Sequence, residues 1–552
     1  MPGPRSSSPL FLCALSSLPM LIRGPDEKEG PEVGLAWRTT VAAALGAVLV
    51  LPSPGRAQTP LSPDSAVQVV LDSLPGEPLA LREAQGAAIR GSAALRQAEA
   101  AYRAASGSAR REAGAFDPEL FFQASRLEED QPSSSFFAGA PTLSTTATEY
   151  RTGLRLTLPI GTDLEVGLNA SRLETNSSFA FLNPEHQAYG SVGVRQPILG
   201  GFHRSARKGL VRAERERDAA KERYEQALLA IVSATERAYW DLYAAERDLA
   251  VQVLALGRAR LFLRETELRA SAGLVGPGET ASARTFLAEQ ELLLFDREEQ
   301  LDRLSDRFSS MTGLWPPAGT TRFAPTDGPP GEIAAPPLAV VLRAATEGNR
   351  DLRAAGQEVE AAKALSRAAF WEALPEIDLT GSLRGRGLSG EPRDVVFLED
   401  TLRSEIEERS IRDAALQAAS RDFPGWSVGV EVTIPLGFRE GLGEKKRLDA
   451  EVVRAEQRRI ELGRVLEEEV RAAHREVSRS PDRLRAAAIG VDAAEEQVRI
   501  GLIEFHNGRS TAFELVRLSE DLAVAERRYS DALVRAAKAA ATLRELTAAT
   551  IP

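Results

Sequence analysis

Two hydrophobic periodicities alternate along this 552-residue chain. The shorter has a period of two. In 150–158, Tyr150, Thr152, Leu154, Leu156 and Leu158 alternate with Arg151, Gly153, Arg155 and Thr157. In 164–171, Leu164, Val166, Leu168 and Ala170 alternate with Glu165, Gly167, Asn169 and Ser171. Ile377, Leu379 and Leu383 alternate with Asp378, Thr380, Ser382 and Arg384, and Trp426 to Ile434 repeat the pattern around Ser427, Gly429, Glu431 and Thr433. Successive side chains of a strand point to opposite faces, so each segment has one apolar and one polar side. The pattern predicts six strands, near 119–127, 149–158, 163–172, 189–197, 376–385 and 425–436. Loops rich in Ser, Thr and Asn are expected at 129–148 and 174–187. Phe121, Phe122, Tyr150, Tyr189 and Trp426 stand near strand ends, as interfacial aromatics do. A soluble sandwich gives the same alternation; strand lengths of eight to ten residues, polar loops and aromatic ends favour a membrane sheet.

The longer periodicity is helical. Tyr224, Leu228, Ile231, Thr235, Ala238, Leu242, Ala245 and Leu249 keep 4-3 spacing, as do Leu515, Leu518, Leu522, Ala525, Tyr529, Ala532, Ala536 and Ala539. That is a coiled-coil seam, with Ala at many core positions so that helix axes come close. Residues 201–272 contain no Pro. As one helix they span roughly 100 Å at 1.5 Å per residue, a length suited to a tube rather than a compact domain.

The two patterns occur twice. Residues 79–119 align with 336–376 without a gap, matching Leu81/Leu338, Ala88/Ala345, Leu95/Leu352, Arg96/Arg353, Arg110/Arg367, Pro118/Pro375 and Glu119/Glu376. Each copy reads as an amphipathic helix (79–114, 337–373), strands, a long helix, a Gly-marked turn and a second long helix. The expected division is a presequence at 1–57, an N-terminal linker at 58–78, a first repeat at 79–313, a Pro/Gly-rich linker at 314–336, a second repeat at 337–547 and a tail at 548–552.

Composition narrows the function. Net charge is −11, without the clustered basic footprint of a nucleic-acid binder. The single cysteine, Cys13, lies ahead of an apolar run at 41–51 that follows Arg38 and precedes small residues ending at Ala57. That order reads as a secretory signal cleaved after Ala57, which leaves the mature chain without a thiol; lipidation of Cys13 is the weaker reading. No other stretch is long enough for a transmembrane helix, so a membrane location requires strands. Walker, dinucleotide and HExxH motifs are absent, and His186, His203, His474 and His506 form no ligand pair at helical spacing. No cofactor, metal or catalytic site is expected.

Several segments carry a family resemblance. VGVRQPILGGFHRSARKGLVRAE (192–214) and GWSVGVEVTIPLGFREG (425–441) resemble the strand-to-helix junctions of TolC-like outer-membrane efflux proteins. ERAYWDL (236–242) resembles their mid-helix pattern, and GLVGPGE (273–279) and FHNGRSTAFELV (505–516) their two periplasmic turns. The resemblance covers about 79–547. It implies a mixed, mostly α fold: an internally duplicated protomer of a homotrimeric transmembrane β-barrel continued by a periplasmic α-helical coiled-coil barrel. It implies a passive duct for efflux or type I-like secretion in outer-membrane lipid, coupled to a periplasmic adaptor and an inner-membrane transporter. A lone adaptor or a coiled-coil scaffold are the alternatives; the first leaves two hairpins unexplained and the second leaves the strands unexplained. By position, Glu279 and Glu514 match the acidic residues at the periplasmic entrance, and Arg517 stands where a further acid is common, so Glu514–Arg517 pairs within or between protomers are expected to close it. Gly273, Leu274, Gly508 and Arg509 match the adaptor-facing turns; both glycines also suit a helix end. Six strands depart from the family's four per chain. The extra hairpin turns at Pro159–Thr162, and the long loop 387–424 contains a helix-like stretch at 400–419.

Overall fold

The computed structural model describes residues 65–318, 322–331, 333–397, 400–402 and 408–548. The expected signal, Cys13 and the end of the tail lie outside the described residues.

The duplication is visible in the helices. The first copy opens with α2 (Leu81–Gly91) and α3 (Ala93–Ala113), the second with α6 (Leu338–Gly348) and α7 (Arg350–Glu372). One continuous helix was expected in each copy; both break at the same place. Ser92 and Asn349, 257 positions apart, are the breaks, and each side chain caps the following helix by accepting from Leu95 N (3.2 Å) or Leu352 N (2.9 Å). The preceding glycines explain why. A Cβ on Gly91 would stand 2.8 Å from Thr312 O, and one on Gly348 2.6 Å from Thr547 O. The chain turns where it touches the end of its own copy's last helix, which periodicity cannot report.

Each copy then builds a long hairpin: α4 (Lys208–Ser271) with α5 (Pro277–Thr312), and α9 (Arg439–His506) with α10 (Ala512–Thr547). At 1.5 Å per residue α4 runs about 96 Å. The expected seam is real: Thr235, Leu242, Ala245, Leu249, Leu515, Leu522 and Ala536 are buried. Pro481 lies inside α9, where a missing N–H frees a carbonyl one turn back. Ser480 Oγ donates to that carbonyl, Val477 O, at 2.7 Å.

Both expected linkers contain structure. Within 58–78, α1 (Ser65–Leu71) buries Val67 against Ala250, Val251 and Ala255 of α4. From the inter-repeat segment, β6 (Phe323–Pro325) pairs in parallel with β1 (Glu77–Leu79).

The six predicted strands all form, in one antiparallel sheet: β2 (Glu119–Pro132), β3 (Thr142–Thr157), β4 (Asp163–Thr175), β5 (Leu182–Leu199), β7 (Glu376–Pro392) and β10 (Phe423–Thr433). Their order is β10-β7-β5-β4-β3-β2. One row across the sheet is Leu120, Leu154, Val166, Val192, Leu383 and Trp426; the row behind it is Glu119, Arg155, Glu165, Gly193, Ser382 and Ser427. One face is therefore greasy and the other polar. On the polar face Arg155 pairs with Glu165 at 3.4 Å, and Arg195 pairs with Glu376 at 2.8 Å and with Asp378.

Three local expectations need correction. The strands extend into the expected loops, leaving connections of only 133–141 and 176–181. The Thr-rich stretch 142–148 pairs as strand although Thr142, Ser144, Thr146 and Thr148 put polar residues on the side that is apolar farther along β3, so the alternation does not carry through there. Phe121 and Tyr189 lie on the polar face instead of joining an apolar girdle; the Arg155 guanidinium lies 4.4 Å from the centre of the Phe121 ring. In the long loop, β8 (Val395–Phe397) pairs with β9 (Asp400–Leu402), and the helix starts later than expected, as α8 (Ile411–Ser420). Ser410 and Asp413 form its capping box. α8 lies on the apolar face, burying Ala414 and Ala418 against Ala188. Gly385 and Gly387 leave the room, since a Cβ on either would collide with the Ala418 or Ala414 carbonyl.

Candidate functional site at the helix tips

The far end of the two hairpins carries all seven sequence-predicted site residues. Helix α4 ends at Ser271 because Gly273 takes the left-handed conformation (φ +72°), and Gly508 does the same after α9 (φ +69°). Both turns close alike. Gly273 N donates to Ala270 O (3.0 Å) and Leu274 N to Arg269 O (2.9 Å); Gly508 N donates to Phe505 O (3.0 Å) and Arg509 N to Glu504 O (2.8 Å). These are Schellman closures, which satisfy carbonyls that a helix end would otherwise leave free. Gly273, Leu274, Gly508 and Arg509 are all exposed. Two identical turns thus present different chemistry, a leucine at one and an arginine at the other.

Glu279 and Glu514 sit in the first turns of α5 and α10, where a carboxylate complements the helix dipole. Glu514 accepts from Ser510 Oγ at 3.2 Å, and its N–H donates to the capping Thr511 Oγ1 at 3.3 Å. Arg517 is exposed on the same helix. Inside one chain the structure brings Glu514 to Ser510 and forms no Glu514–Arg517 ion pair.

The seam between the two tips was not legible beforehand. Phe505 is buried with Ala512, Leu515 and Phe262, its ring 5.6 Å from that of Phe262. The Arg269 guanidinium stands over the Phe505 ring at 4.5 Å and donates to the Phe505 carbonyl. One cation so ties the first hairpin's tip to the second's. Farther along, Arg258 pairs with the buried Glu526 (2.9 Å), Arg237 with Glu545 (2.9 Å) and Arg544 with Glu236 (2.5 Å), all between α4 and α10. A cation facing an anion across two seams is invisible to a reading of either helix alone.

Midway up, the ERAYWDL segment finds its purpose. Tyr239 is fully buried; its hydroxyl donates to Leu79 O (3.0 Å) and accepts from Asp327 N (2.9 Å). It clamps the β1–β6 pair to α4. Just beyond, burial pushes the Glu246 carboxyl up to about 7 against the opposing pull of Arg322, and Asp248 up to about 6 against that of Arg297.

The sequence model of the outer membrane efflux protein family matches residues 161–314 and 341–549, one segment in each copy. The chain belongs to the outer membrane efflux protein family. It is a channel subunit of the outer membrane, with its helices in the periplasm. Among solved structures it is similar to the outer-membrane channel OprN (17 % identity, 85 % of this chain and 89 % of that one, TM-score 0.62). It is also similar to VceC of Vibrio cholerae (16 %, 85 % and 95 %, 0.59) and to the CmeC channel of Campylobacter jejuni (13 %, 92 % and 93 %, 0.56). At such identities the likeness shows the fold alone. No curated protein matches in sequence. For an outer-membrane efflux channel subunit the helical hairpins, and with them the tips, lie on the periplasmic side.

Proposed function

We propose that this subunit assembles as a homotrimer and supplies a passive duct for efflux or type I-like secretion, with a periplasmic adaptor and an inner-membrane transporter meeting it at the tips. The observation that carries this is the continuity of the chain: a sheet greasy on one face runs directly into hairpins about 96 Å long, which end in two exposed, matching turns. The exposed Gly273–Leu274 and Gly508–Arg509 turns are the adaptor contacts. Glu279, Glu514 and Arg517 ring the entrance. Because Glu514 and Arg517 are unpaired inside one chain, their ion pair forms between protomers and holds the entrance shut; an alternating ring of charge is less cation-selective than bare carboxylates.

Two experiments test this. Extraction of the outer-membrane fraction should yield a heat-labile trimer; a chain found in the soluble fraction overturns the assembly. In planar bilayers, Arg517→Glu should raise single-channel conductance severalfold, and unchanged conductance removes the Glu514–Arg517 closure while leaving the duct intact.

A further inference from the structure

The sheet and the helices beneath it are laid out in the same order. α3 packs on α4, α4 on α7 and α7 on α9. Directly above, β2 continues α3, β5 leads into α4, β7 continues α7 and β10 leads into α9. The protomer is a slab with two free sides, β2 with α3 and β10 with α9. Between β2 and β5 the chain inserts β3 and β4, which turn back at Pro159–Thr162 without entering the helical layer.

That insertion changes the width of one layer only. Helices pack at about 9.5 Å, so four span about 38 Å. Strands spaced about 4.8 Å and tilted about 40° occupy about 6 Å each around a barrel. Four strands would cover only about 25 Å above the same four helices, whereas six cover about 38 Å. The inserted hairpin makes the two layers equal.

We propose that β10 of each copy pairs with β2 of the next, so that three copies close an eighteen-stranded barrel as wide as the helical tube below it. This rests on the trimer proposed above. The occupant of each sheet edge is a second copy of this chain, for three reasons. β2 runs away from the helices and β10 runs toward them, so the two pair antiparallel, as every other neighbour in the sheet does. An unpaired edge within lipid leaves a row of unsatisfied N–H and C=O groups, which only closure removes. The apolar face also runs on: with their helical ends level, Phe122 falls beside Val430 and Ala124 beside Val428, and Phe122, Val428 and Val430 are all largely exposed in the single chain. The backbone diameter is then about 36 Å, half as wide again as the roughly 24 Å of twelve strands. The outer-membrane section is then no waist above the helical tube.

Cys13 is the single cysteine of the sequence, so a Cys13→Ser background makes the edge testable. Ala124→Cys is combined in turn with Trp426→Cys, Val428→Cys and Val430→Cys, and each purified protein is oxidised. One combination should give a covalent trimer that persists after boiling, with each single variant remaining monomeric. Electron-microscope class averages of the unmodified trimer provide the second measurement: the strand section should equal the helical section in width. A native trimer with no cross-link in any of the three pairs, or with a strand section about two thirds as wide, overturns the eighteen-stranded barrel while leaving the trimer standing. A preparation that is not trimeric overturns the assembly on which it rests.

Discussion

The two copies of this protein diverge in one layer and agree in the other. In the periplasmic layer α5 and α10 are 36 residues each and lie 235 positions apart at both ends. In the membrane layer one copy contributes four strands and the other two, with α8 and a small hairpin in its outer excursion. α4 packs against α3, α5, α7 and α10, and α9 against α6, α7 and α10, so a change of length or path in one copy dislocates the other. A strand pair can be inserted between two existing strands provided that the sheet stays closed. Equivalent positions also keep their task while changing their chemistry. Tyr239 and His474 are 235 apart; one holds β1 and β6, and the other holds the inter-repeat segment through Pro336 O at 2.8 Å. Glu246 corresponds in the same register to Pro481, so a buried carboxyl in one copy stands where the other has a helix irregularity.

The agreement in the helical layer is most severely tested at Gly91 and Gly348. A valine at either pushes the turn off the last helix of its copy and should cost about 3 kcal/mol, read as the loss in thermal unfolding of the detergent-solubilised protein. Equal losses sharpen the equivalence of the copies; a loss at one alone breaks it. Glu246 tests the difference. Its folded pKa of about 7 lies above the unfolded 4.5, so the native state holds the extra proton between these values. Its stabilising contribution is complete below pH 4.5, falls as pH rises, and is gone above about 7. Glu246→Gln should therefore raise stability by about 2 kcal/mol at pH 8 and by little at pH 4.5; a gain independent of pH would refute this. Next in size is Arg269→Ala, expected to cost about 1 kcal/mol locally. Amide exchange should quicken in 262–274 and 505–515 and stay unchanged around Tyr239. The smallest effects belong to the caps: Ser92→Ala and Asn349→Ala should each lower stability by about 1 kcal/mol or less, with Asn349 the larger because its side chain also donates to Leu546 O at 3.2 Å.

The alternation of polar and apolar residues alone determined that six strands exist and which side of each is greasy, because a strand's faces are set by its own period. The 4-3 seams and the Gly-marked turns determined the long hairpins and located Gly273, Leu274, Glu279, Gly508, Arg509, Glu514 and Arg517 at their ends, because a helix end depends on residues within one turn of it. Tertiary structure decided the rest. The breaks at Ser92 and Asn349 depend on contacts with Thr312 and Thr547, more than 190 residues away. The strands' extension past the apolar band, the seat of α8 on Gly385 and Gly387, and Arg269's hold on Phe505 depend on what a distant segment brings alongside. No pattern within one element encodes its neighbour.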